Sequence, residues 1–163
     1  VTYLDVDTLK VLQKTIQIPS NMPLPEQLPE ARRIEELHQA GRDCDIPYEG
    51  MMLTTVVAEA ERMLKLADGP EHFDMKLSGI AIGPIAMIGI PGEPFTGIGR
   101  ALKQAPGWTL VLPTCLTNGS DGYFPMQDAY DEGGYEARSS PFKAGVAERI
   151  ISEGTKLLAE LHG

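Results

Sequence analysis

Apolar residues along this chain change their spacing several times, and each change marks an element. Thr2 to Ile18 mixes β-branched residues with a weak alternation that ends at Pro19, whose ring removes a ladder donor. The clearest part, Lys14 to Ile18, predicts a strand. Pro23, Pro25 and Pro29 then force extended or turn conformations, a surface connection. From Pro29, Ala31, Ile34, Leu37 and Ala40 recur at helical spacing, and Gly41 is placed to stop that helix. After a polar stretch from Arg42 to Gly50, Met52, Val56, Val57, Ala60, Met63, Leu64 and Ala67 form the stripe of a second helix over Met51 to Ala67, ended by Asp68-Gly69-Pro70.

The period then drops to two. Met75, Leu77, Gly79 and Ala81 alternate with Lys76, Ser78, Ile80 and Ile82, and Gly83-Pro84 separates them from Ile85 to Ile90, predicting a β-hairpin in a core. Phe95, Ile98 and Leu102 suggest a helix dying at Pro106-Gly107. Trp108 to Leu112 is a continuous apolar run, expected to be a central strand buried on both faces. Thr117 to Pro125 and Asp131 to Pro141 read as loops around one helical turn, Met126 to Tyr130. Ala144 to His162 carries Val146, Ile150, Ile151, Leu157, Leu158 and Leu161, a last helix interrupted by Gly154. Strand, two helices, hairpin, helix, strand and helix favour a mixed sheet with helices covering one face, an α/β or α+β architecture.

Composition narrows the function. At 163 residues, with 42% hydrophobic and 23% charged residues, the expectation is one ordinary globular domain over 1–163. A net charge of −9 opposes binding to nucleic acid. No apolar run approaches the roughly 20 residues of a membrane span, and Val1 opens no signal-like segment, so a soluble chain is expected. Cys44 and Cys115 fit no CxxC spacing, and His38, His72 and His162 lie far apart, giving no complete metal site.

Two stretches carry candidate chemistry. Ile88-Gly89-Ile90-Pro91-Gly92-Glu93-Pro94-Phe95-Thr96 delivers a carboxylate at the end of an apolar strand, the edge where open α/β sheets bind ligands. Glu93 there suits a metal ligand or an acid/base, although a carboxylate in a helix's first turn is also favourable by roughly 0.3–1 kcal/mol. Cys115 to Pro125 is a polar, glycine-rich loop, in which Asn118, Asp121 and Tyr123 converge on Glu93 if the strands are neighbours; Asn-Gly and Asp-Gly are also plain turn formers. Glu93 with Asp121 would alternatively suit a sugar-modifying hydrolase if their separation is ~5–10 Å. Ser139 and Ser140 lack a nucleophile elbow and read as turn or cap residues, Gly97-Ile98-Gly99 lacks the rest of a dinucleotide fingerprint, and Tyr123, Tyr130 and Tyr135 read as core or rim aromatics.

Together, Ile90-Pro91-Gly92-Glu93-Pro94-Phe95-Thr96, Gly99-Arg100-Ala101-Leu102, Asn118 to Tyr123, Asp128-Ala129-Tyr130, Gly134-Tyr135-Glu136 and Ser139-Ser140-Pro141-Phe142 resemble the neutral (non-lysosomal) ceramidase family, zinc-dependent amidases of N-acylsphingosine. The resemblance runs from about Leu77 to the C-terminus. It implies that Glu93 and Tyr123 are zinc ligands, with Gly92 and Asn118 on the substrate side. It implies further that the chain is the C-terminal portion of a larger layered catalytic domain whose missing N-terminal half supplies the histidine ligands and the catalytic serine, so that no catalytic residue lies here and the chain alone is inactive. The substrate implied is an N-acyl lipid or related compound, and a secreted or periplasmic setting follows from the same likeness. Pro94 directly after Glu93 is the pattern of bacterial homologues. The alternative from another class is a non-catalytic α/β binding or structural module that keeps the fold without the metal.

Overall fold

The two-residue alternation around Met75 produces a long strand in the computed structural model, which describes residue 3 and residues 6–163; residues 1, 2, 4 and 5 of the first segment lie outside the described residues. This strand, β2 (His72–Ile82), sits between β1 (Leu9–Pro19) and β3 (Ile85–Gly89), antiparallel to both, and β3 pairs in parallel with β5 (Leu110–Thr114). Gly83, at φ +53, makes the two-residue turn between β2 and β3, a left-handed conformation suited to glycine. The sheet order is β1-β2-β3-β5. A short parallel pair, β4 (Glu93–Pro94) with β6 (Tyr123–Phe124), stands beyond the end of β3.

One face of the sheet is buried. Ile16, Ile18, Met75, Leu77, Ala81, Ala86, Ile88 and Val111 point into a core closed by α3 (Thr96–Leu102) and the long α6 (Val146–His162), with Leu157 and Leu158 fully buried. The helix approaches so closely at Gly79 that a Cβ there would meet Leu161 Cδ1 at 2.4 Å. The mixed α+β sheet with helices on one face is as the sequence predicts. A second, smaller core of Ala31, Ile34, Ile46, Val56, Ala60 and Met63 holds α1 (Leu28–Gln39) against α2 (Gly50–Leu66), inserted between β1 and β2. Two short helices, α4 (Gln127–Glu132) and α5 (Tyr135–Ser139), complete the chain.

The opposite face of the sheet is open and largely apolar. The register aligns Leu9, Ile82, Ile85 and Leu110 in one row, and Val11, Ile80, Met87 and Leu112 in the next. Leu9 and Val11 are 70% and 69% exposed, and Ile80, Ile82, Leu110 and Leu112 are exposed too. A third row, Gln13, Ser78, Gly89 and Thr114, turns the face polar toward the end that carries β4 and β6.

Several expectations need correction. The Trp108 to Leu112 run is neither central nor buried on both faces: β5 is an edge strand, shifted to Leu110–Thr114, whose Leu110 and Leu112 lie on the open face. An apolar run signals two covered faces only when both covers are present. The same cause hides the first half of β1, which begins at Leu9 rather than Lys14 because its exposed positions are apolar and blur the alternation. Gly154 does not interrupt α6; it lets the helix close on the sheet, where a Cβ would come within 2.8 Å of Leu102 Cδ2 and 2.9 Å of Ile88 Cδ1. The segments expected to be loops contain β6 and α5.

A charge cluster clamps α6 to β1. Glu153, buried at 7%, receives Lys156 Nζ at 2.7 Å and lies 3.2 Å from Lys14 Nζ. Hydrogen bonds from Lys156 and Lys14 hold its carboxyl below the ordinary glutamate value. The folded chain thus binds this proton more weakly than the unfolded one, so the stabilisation is present above the ordinary pKa of about 4.3 and is lost as pH falls through the lowered folded value. Glu153→Gln should flatten the acid limb of the melting midpoint measured from neutral pH downward. Identical pH slopes for the two proteins would refute the assignment.

Candidate functional site

Beyond Ile90 the β3–β5 ladder stops, because Pro91 has no amide hydrogen to extend it. The remaining backbone groups instead zip onto the loop that follows β5. Ile90 N–H donates to Thr114 O at 2.9 Å, Thr117 N–H to Ile90 O at 2.9 Å, Leu116 N–H to Gly92 O at 2.9 Å and Asp121 N–H to Pro91 O at 2.8 Å. Glu93 N–H to Gly122 O at 2.9 Å and Phe95 N–H to Phe124 O at 3.2 Å then close the β4–β6 pair. Leu116 and Asn118 adopt left-handed backbone, φ +51 and +61, which asparagine tolerates well and leucine does not. The zipper holds that strain.

Glu93 and Tyr123 are register partners in a parallel pair and therefore project to the same side. The Glu93 carboxylate, being nearby and negative, is the main reason the Tyr123 phenol is raised above its ordinary value; partial burial, Tyr135 and Glu136 add to it. Tyr135 stands edge-on to Tyr123 with ring centroids 6.1 Å apart. Glu93 is exposed and Tyr123 half-buried, so both are open to a ligand. Beneath them, Gly92 is buried where backbone and ring crowd it: a Cβ would meet Gly122 O at 2.6 Å and Phe124 Cε2 at 2.6 Å.

Asn118 reaches the end of the open sheet face, where its Nδ2 donates to Ser78 Oγ at 3.3 Å, and Gln13 Nε2 approaches the same hydroxyl at 3.4 Å. Asp121 lies on the zipper with its carboxyl pushed up by burial. Sequence reasoning therefore placed Glu93, Gly92, Asn118, Asp121 and Tyr123 in segments that do meet. Tyr135 and Glu136 join the site without being singled out by sequence: Gly134-Tyr135-Glu136 is a visible signal, but the loop expected over Asp131 to Pro141 hides the short helix α5 that positions them. Ser139 and Ser140 end α5, with Ser140 N–H on Glu136 O at 3.1 Å, in keeping with cap residues. His38, His72 and His162 are exposed and belong to three different elements, α1, β2 and α6, His38 Nδ1 pairing with Asp43 at 2.8 Å.

A carboxylate and a phenol whose negative forms disfavour each other match part of an oxygen-donor set, because a cation between them relieves that repulsion. They are incomplete as a metal site: among the described residues no group of three or more His, Cys, Asp or Glu could hold an ion. No helix among the described residues is long and apolar enough to cross a membrane.

No family model matches the chain, and no curated protein matches it by sequence. Among solved structures, the neutral ceramidase of Pseudomonas aeruginosa is similar in fold over 95% of this chain, with a TM-score of 0.59 and 14% identity. A ceramidase complexed with C2 covers 56% of the chain at 20% identity, TM-score 0.46. The chain spans 28% of the length of the Pseudomonas protein and 15% of the other.

Proposed function

We propose that this chain forms part of the catalytic domain of a zinc-dependent amide hydrolase acting on an N-acyl lipid or a related N-acyl compound, with Glu93 and Tyr123 as two of the zinc ligands. The observation that carries this reading is the parallel register that sets Glu93 beside Tyr123 at the sheet's end. The fold likeness to a neutral ceramidase supports it. A zinc ion held with an open position activates water toward a pKa of ~7 and polarises an amide carbonyl. Glu93 offers a full negative charge to such an ion, Tyr123 a phenolic oxygen, and the zipper fixes both before any ligand arrives. Gly92 and Asn118 lie in the two segments that the zipper joins, and the same reading assigns them to the substrate side.

The open apolar sheet face fits the same reading, since a further layer contributed by the rest of a longer polypeptide would cover it and bring the remaining ligands. Two ligands hold zinc poorly, so the isolated chain should bind it weakly. In a longer polypeptide that includes this segment, N-acyl amide hydrolysis should disappear with a chelator and with Glu93→Ala, and calorimetry should show zinc affinity falling with the same substitution. Tight stoichiometric zinc binding by the isolated chain that survives Glu93→Ala would overturn the ligand assignment, and a longer protein without amide hydrolysis would favour the non-catalytic module.

A further inference from the structure

A strand in a two-stranded pair satisfies only alternate backbone groups. On either side of Tyr123 the carbonyls of Gly122 and Phe124 accept from Glu93 N–H and Phe95 N–H, so the Tyr123 carbonyl between them points the other way, where no further strand pairs with β6 among the described residues. Its partner is a side chain: Ser140 Oγ–H donates to Tyr123 O at 3.0 Å. Ser140 is fully buried, and its hydroxyl oxygen also accepts from Phe142 N–H at 3.2 Å and lies 3.3 Å from the Tyr130 phenol, whose own proton goes to Phe142 O at 2.7 Å. Asn21 Nδ2 donates to Ser140 O at 3.3 Å, and the segment is pinned to the end of β1 by Asn21 N–H to Pro141 O at 2.8 Å and Lys143 N–H to Pro19 O at 2.9 Å. The hydroxyl is therefore held from its own side before it holds Tyr123.

We propose that Ser140 is a positioning residue for Tyr123: its buried hydroxyl fixes the backbone of β6 so that the phenol stands beside Glu93 and against the ring of Tyr135. The significance of that placement rests on the metal-ligand reading above, but the positioning itself does not. Ser140 caps α5, which also carries Tyr135, so one hydroxyl ties both tyrosines into a single arrangement. A group that orients a ligand in this way commonly alters metal affinity or activity 10–100-fold when removed.

NMR on the 163-residue chain tests it without reference to hydrolysis. In Ser140→Ala the Tyr123 and Tyr135 ring signals should move, and the ring-to-ring cross-peak should lose at least half its intensity. Tyr130→Phe, which keeps the Ser140–Tyr123 bond, should leave both as they are. A folded Ser140→Ala protein with unchanged Tyr123 and Tyr135 signals overturns the proposal. Should the alanine variant fail to fold, the unmutated chain decides: the Ser140 hydroxyl proton must be protected from exchange and show a cross-peak to the Tyr123–Phe124 backbone, and a freely exchanging hydroxyl overturns it. In the longer protein, Ser140→Ala should weaken zinc binding about tenfold. Failure of amide hydrolysis alone would count against the metal reading and leave the NMR result standing.

Discussion

Gly92→Ala should destabilise the chain by about 3 kcal/mol, near the upper end of what overpacking usually does. The added methyl would meet the Gly122 carbonyl at 2.6 Å, and that oxygen cannot move aside because it accepts the Glu93 N–H that closes β4 onto β6. On its other side stands Phe124, which is fully buried in the main core. Relief therefore means parting the two loops, and with them Glu93 from Tyr123. Urea unfolding should show the midpoint fall with an unchanged slope. Gly99→Ala supplies the contrast: nothing lies within 4 Å of its Cβ position in α3, so the same change should be neutral or stabilising by up to about 1 kcal/mol. Equal effects at both positions would show that close approach is not what glycine provides at Gly92.

The second large effect concerns the open sheet face. Replacing Val11 and Ile80 together with threonine keeps β propensity and removes exposed apolar surface, two neighbours in one cross-strand row. In the isolated chain this should reduce binding of a hydrophobic dye several-fold and leave the melting midpoint within a few degrees. In a longer polypeptide where another layer packs on the face, the same pair should cost about 2–4 kcal/mol, since a large aliphatic side chain contributes about 1.5–3 kcal/mol when fully buried. A longer protein indifferent to the pair would mean that the face stays uncovered, and the layered reading would fall with it.

What the sequence made legible follows from where each signal is local. The alternation of β2, the Gly83-Pro84 turn and the stripes of α1, α2 and α6 depend on neighbours in the chain, and they appear close to where periodicity predicts them. The Glu93 and Tyr123 segments were legible as turn-forming loops, and the family likeness gave them a joint meaning. Their register was not legible, because β4 and β6 are two residues long and are made by backbone bonds between distant loops. Ser140 reads from sequence as a turn or cap residue, and it is the C-cap of α5; its bond to the Tyr123 carbonyl depends on β6 having no strand partner on that side among the described residues. The edge position of β5 misled for a related reason, as apolar residues on an uncovered face look the same in sequence as buried ones.

The α1–α2 hairpin interrupts two strands that are immediate neighbours in the sheet. Loop-closure entropy rises only with the logarithm of length, each doubling adding about 0.6 kcal/mol, so homologous chains are free to lengthen, shorten or redecorate this insertion without disturbing the β1–β2 ladder. One mooring limits that freedom. Arg62, buried in α2, donates from Nη1 to Asn21 O at 2.6 Å and from Nε to Arg138 O at 2.9 Å, and Arg138 in turn is bonded to Glu59. Sequence drift should accordingly concentrate in α1 and the turn after it, while the Glu59–Arg62 stretch, which braces the short helix carrying Tyr135, stays fixed.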